Sequence, residues 1–152
     1  MYKVINIDGV DYKLEFSIEA SLYHDCIEQI TNFMYTIDSA GNTNDLSGLI
    51  SGISNLPMTA VTCFYAGLME HHGVDGDGLV TSIGIAKKLA ASLIKSEDSE
   101  IKNWYDLFNL CIEQMGEDGF FDLIGLTEMT STEKKAPKVP QDHKRKTRAI
   151  AK

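Results

Sequence analysis

Apolar residues recur along this chain with two periods. Near the start the period is two: Tyr12, Leu14 and Phe16 alternate with Lys13 and Glu15, which makes one face of a strand apolar. The pattern predicts strands over 3–7 and 10–16. They are joined at Asp8-Gly9, a dipeptide suited to the positive φ of a tight hairpin turn. A two-stranded hairpin is marginal alone in water, so its apolar face must rest on helices.

From Ser17, a reasonable N-cap, the period becomes that of a helix. Leu22, Tyr23, Cys26, Ile27, Ile30, Phe33 and Met34 predict one helix over 18–36, followed by a loop over Ser39–Asp45. Leu46, Leu49, Ile50 and Ile53 predict a short helix that Ser54-Asn55 ends. The central element is predicted over 57–72. Pro57 fits its first turn, Val61, Phe64, Tyr65, Leu68, Met69 and His72 form a wide apolar stripe, and Gly73 closes it in the left-handed conformation. Two more stripes follow, Leu79, Val80, Ile83, Ala86, Ala90, Leu93 and Ile94, then Ile101, Trp104, Tyr105, Leu107, Phe108, Cys111, Ile112 and Met115. Ser96–Glu100 reads as the loop that caps the second of them. Gly116 and Gly119 break that last helix, and Phe120–Leu126 reads as one further apolar turn. The fold class is therefore mainly α, a small helical bundle with an N-terminal β-hairpin over residues 1–129.

Charge divides the chain into two physical objects. Residues 133–152 hold eight basic residues against two acidic ones, net +6, whereas residues 1–132 hold six lysines, no arginine and twenty acids, net −14. An acidic body repels nucleic acid. The segment 130–152 carries Pro137 and Pro140 and almost no large apolar side chain, so burial cannot offset its ordering entropy; it reads as a flexible, disordered basic tail. Lys144, Arg145, Lys146 and Arg148 are its candidate contact residues, with an acidic protein surface a better match than nucleic acid, since no aromatics are interleaved. The opening residues show no export signal and no apolar run approaches the ~18 residues of a membrane span, so the expected location is the cytoplasm. Cys26, Cys63 and Cys111 are odd in number and far apart on apolar stripes, which reads as buried reduced thiols.

Candidate chemistry is thin. Glu70, His71 and His72 invite a metal or acid–base reading, but adjacent helical residues point in different directions, and His24 and His143 do not complete a ligand set. Asp75-Gly76-Asp77-Gly78 resembles part of a calcium loop, yet the closing ligand position is Ala86. The reading is therefore no enzyme, no metal and no cofactor. Met58, Met69, Met115 and Met129 with Phe64, Phe120 and Phe121 serve either as core or as an adaptable groove for partner helices. Phe120, Phe121, Met69 and Met115 are the candidate client-binding residues, with the Phe120-Phe121 pair beside Gly119 expected at the surface.

Three stretches in order, Ile7–Phe16 (IDGVDYKLEF), Tyr65–Gly73 (YAGLMEHHG) and Asp118–Leu123 (DGFFDL), resemble the tail assembly chaperones of long-tailed phages and prophages of Gram-positive hosts. The resemblance covers residues 1–126 and leaves the tail unmatched. It implies a non-enzymatic protein of the host bacterial cytoplasm, not carried into the mature virion. Its implied partner is the tape measure protein, whose apolar helices it keeps soluble while tail tube protein subunits assemble around them. Self-association and a longer form made by programmed frameshifting, here near Lys134-Lys135, belong to the same expectation. The competing reading is a small helical DNA-binding or adaptor protein of a mobile element. Deleting residues 133–152 is expected to leave the fold intact, because they contribute no core; a large fall in melting temperature would contradict this.

Overall fold

The alternating start forms the expected hairpin. In the computed structural model, which describes residues 1–43 and 46–126, β1 (Lys3–Ile7) pairs antiparallel with β2 (Val10–Leu14), Ile7 opposite Val10 and Lys3 opposite Leu14. Asp8 and Gly9 both take positive φ, 52° and 84°, as a type I′ turn requires. Among the described residues six helices follow: α1 (Ile18–Leu22), α2 (His24–Thr43), α3 (Leu46–His72), α4 (Ile83–Lys95), α5 (Trp104–Glu117) and α6 (Phe120–Leu123). The chain divides into two compact units, Met1–Phe120 and Phe121–Lys152. Of the second unit only Phe121–Leu126 is described; there the Gly125 N–H donates to the Asp122 carbonyl at 3.1 Å and Gly125 takes φ 82°. The predicted tail, 130–152, lies outside the described residues.

The helix predicted over 18–36 is two helices. Tyr23 leaves the helical region at φ −85°, ψ 95°, and the chain restarts at His24. On one straight helix Ala20 and Cys26, six residues apart, would lie on different sides. The break turns both into the core, where each is fully buried. Beyond Phe33 the helix continues to Thr43, through part of the predicted loop. Ser, Asn and Thr fall short of good helix formers by only about 0.7 kcal/mol each at most, too little to stop a propagating helix.

A larger correction concerns the centre. The two helices predicted on either side of Ser54-Asn55 are one helix of 27 residues, with Pro57 inside it rather than at its start. Pro57 leaves the Ile53 carbonyl without its helical donor. Around it the hydroxyls stay in the helix: Ser54 Oγ donates to the Ile50 carbonyl at 2.9 Å and Thr59 Oγ1 to the Asn55 carbonyl at 3.0 Å, so neither side chain acts as a cap. By length and composition α3 could cross a bilayer. In this fold Thr59–Phe64, Ala66 and Leu68 are instead the buried middle of the molecule.

The hairpin lies directly on α3. A methyl on Gly67 would stand 2.5 Å from Leu14 Cδ1 and 2.7 Å from Phe16 Cζ, and both side chains are fully buried. Only glycine allows this approach. Beyond β2 the extended backbone bonds to helices rather than to another strand, Glu15 N–H to the Gly67 carbonyl at 2.9 Å and Phe16 N–H to Asp118 Oδ2 at 2.8 Å. Gly73 does not take the left-handed form expected of it. Its N–H continues the helix to the Met69 carbonyl at 3.0 Å, and the turn proper comes at Gly78, φ 75°. Helices α4 and α5 start later than predicted because Ser82 and Asn103 cap them, each side chain accepting from the N–H three residues on.

The same geometry separates two glycines. Gly67→Ala is expected to destabilise by roughly 1–3 kcal/mol, since Leu14 and Phe16, both fully buried, must shift to make room. Gly116→Ala, on a helix where nothing lies within 4 Å of the new methyl, is expected to stabilise by about 0.4–1 kcal/mol. Urea unfolding of both variants checks the opposite signs.

Candidate protein-binding surface

The polar residues singled out in the sequence meet at the C-terminal end of α3, each in a structural bond. Glu70 reaches α1: Ser17 Oγ donates to its Oε2 at 2.5 Å and the Glu19 N–H does so at 3.2 Å. A carboxylate on α3 thereby caps α1, and Ser17, the predicted cap, makes no capping bond of its own. His71 Nε2 lies 2.6 Å from Glu15 Oε2. His72 is buried between two fixed partners. The Lys13 N–H can only donate, so Nε2 at 2.8 Å accepts, and the ring proton sits on Nδ1, 2.8 Å from Asp77 Oδ2. The ring bridges the edge of β2 to the loop after α3, with Tyr12 edge-on at 5.3 Å. The Asp77 carboxyl is held below its usual range, chiefly by the Leu79 N–H and further by His72.

These bonds leave no shared ligand set in the Glu70–His72 run. Among the described residues one trio, His24, Asp25 and Glu28, has its ligand atoms within 4.8 Å of one another; it is fully solvent-facing on the first turn of α2 and carries no further support as a metal site. Gln114 donates through Nε2 to the Met1 carbonyl at 2.7 Å and to Asp118 Oδ1 at 2.9 Å, which fixes the orientation of its amide. Its buried Oε1 has no partner among the described residues. Cys26, Cys63 and Cys111 are buried and free, as read from their stripes. The Cys63 thiol is pushed well up by its bond to Cys26 and by burial, and that of Cys111 by burial, so both are protonated at neutral pH.

The candidate client-binding residues are largely inside. Phe120 and Met115 are completely buried, Phe120 against Phe16 at 5.7 Å between ring centroids. Gly119, φ 69°, turns the chain so that Phe120 points into the core, which corrects the expectation of a surface pair. Phe121 and Met69 are half-buried, and Lys144, Arg145, Lys146 and Arg148 lie outside the described residues.

Among the exposed apolar residues of the described chain, one row lies on the first half of α3. Leu46, Ile50, Ile53 and Pro57 follow at steps of four, three and four, and Val61, Phe64 and Leu68 continue the same line. From Val61 onward that line is buried; before it, Leu46, Ile50 and Ile53 are 67%, 56% and 57% exposed. One apolar face thus runs the length of α3, covered in its second half and bare in its first. The cause is length. α3 has 27 residues, about 40 Å, whereas α4 and α5 have 13 and 14. On α2, Met34 and Tyr35 add exposed apolar area. Sequence reading missed this surface by ending a helix at Ser54-Asn55; the unbroken three- and four-residue spacing across Pro57 was the available signal.

No known family matches this chain, and neither curated proteins nor solved structures show a match to it.

Asp77 supplies a pH test. Its folded-state pKa lies below the unfolded value, so its contribution is complete above about pH 4 and is lost as pH falls through the folded value. Asp77→Asn is expected to flatten the acid limb of the stability profile below pH 4 and to leave the slope near neutrality unchanged, measured by urea midpoints across pH.

Proposed function

We propose that this protein is a non-enzymatic phage tail assembly chaperone that binds apolar helices of the tape measure protein and keeps them soluble during tail tube assembly. The observation that carries the reading is the bare half of the α3 stripe. An uncovered row at Leu46, Ile50 and Ile53 matches the spacing with which a partner helix presents its own apolar positions. Exposed apolar area of this kind costs solubility unless a partner covers it. The exposed methionine and tyrosine of α2, Met34 and Tyr35, are side chains that suit a client with many similar but non-identical helices.

The three stretches behind the resemblance also support it. They meet at one place: Lys13 bonds to His72, Glu15 to Gly67 and Phe16 to Asp118. Net −14 over residues 1–132 gives such a binder solubility beside a sticky client. Its working place is the cytoplasm of the bacterial host.

The test is co-expression with the tape measure protein of the same phage or prophage. The wild-type chain is expected to bring it into the soluble fraction and to co-purify with it. Ile50→Glu with Ile53→Glu is expected to weaken the complex by tenfold or more, while stability shifts by only about 0.5 kcal/mol, since both side chains face water. An insoluble client with the wild-type chain overturns the reading, and an unimpaired double variant overturns this surface.

A further inference from the structure

The two long edges of the hairpin differ. In a two-residue hairpin the residues flanking the turn exchange hydrogen bonds, and the pairs then alternate. Ile7, Ile5 and Lys3 therefore bond to Val10, Tyr12 and Leu14, whereas the backbones of Asp11 and Lys13 on β2, and of Val4 and Asn6 on β1, point outward. On β2 that edge is bonded to the helix at two points, the Lys13 N–H on His72 and, just beyond the strand, the Glu15 N–H on Gly67. On β1 it is open: among the described residues, no hydrogen bond reaches the outward N–H and C=O groups of Val4 and Asn6.

The open edge is also the wall of a groove of about 510 Å³. Across from it lie the end of α4 and the segment 96–101. Ile7, Leu93 and Leu110 give the groove an apolar base, and Asp8, Asp98 and Glu100 line it with carboxylates against one amine, that of Lys3. Bare edges are normally blocked by a charge, a bulge or a covering segment. Here the edge borders an open groove.

We propose that β1 is a docking edge for an extended basic peptide of a partner protein, which adds a third strand through the Val4 and Asn6 backbone, sets alternate apolar side chains on the groove base and its basic ones against Asp8, Asp98 and Glu100. Main-chain bonds supply register and the carboxylates supply selectivity for positive charge. The site is separate from the bare α3 face and stands or falls independently of it.

The test uses the full chain and a capped heptapeptide alternating lysine and valine, titrated by calorimetry and by amide NMR. Binding with shifts centred on the Val4 and Asn6 amides is expected, and Asp98→Lys with Glu100→Lys should weaken it roughly tenfold. Two control peptides keep every charge but carry N-methyl groups on all valines or on all lysines. Successive N–H groups of a strand point to opposite edges, so one control should lose at least tenfold in affinity and the other should bind like the parent. Equal affinities of the two controls would mean adsorption by charge alone and would overturn the proposal, as would no binding of the parent peptide.

Discussion

The contact on which the structure depends is the seating of the hairpin on α3 at Gly67. Without a side chain there, Leu14 and Phe16 come within van der Waals reach of the helix backbone and are sealed from water. Each such burial contributes about 1.5–3 kcal/mol. The proximity also makes the polar bonds possible. The Lys13 N–H finds His72 and the Glu15 N–H finds Gly67, and Asp118 at the end of α5 accepts from Phe16. The last carbonyls of α3 are in turn capped by the loop behind them, His71 by the Asp77 N–H and His72 by the Val80 N–H.

That arrangement concentrates the core at one end of α3. The hairpin, α4 and α5 gather on its C-terminal half, and their short helices cannot follow it to Leu46. A helix this long therefore keeps an apolar face that none of the other described residues covers. The proposed chaperone function follows from this mismatch in length rather than from any catalytic group. Glu70, His71 and His72, which look like chemistry in the sequence, are the polar fastening of the same junction. His72 accepts the Lys13 N–H through Nε2.

Much of the fold was legible because periodicity reports which side of an element is dry. The hairpin, its register at Asp8-Gly9, the helical class and the buried thiols follow from spacing alone. The breaks were less legible. Tyr23 interrupts a continuous stripe, which turns Ala20 and Cys26 both inward, and Pro57 stands inside one whose helix is held by the burial of Thr59–Phe64 in the core. Both decisions rest on partners distant in sequence. The candidate site was misplaced for the same reason. Phe120 next to a glycine reads as exposed until Phe16, more than a hundred residues earlier, is found against it.

By itself, the sequence determined the alternation that makes the hairpin, the helical stripes, the acidic body and the basic final segment, since each depends only on neighbours along the chain. Only the tertiary structure decided which stripe is covered. Leu46, Ile50 and Ile53 share the spacing of Val61, Phe64 and Leu68, yet the first three meet water and the last three are core. Burial depends on whether another element is long enough to reach, and a residue's own pattern carries no record of that.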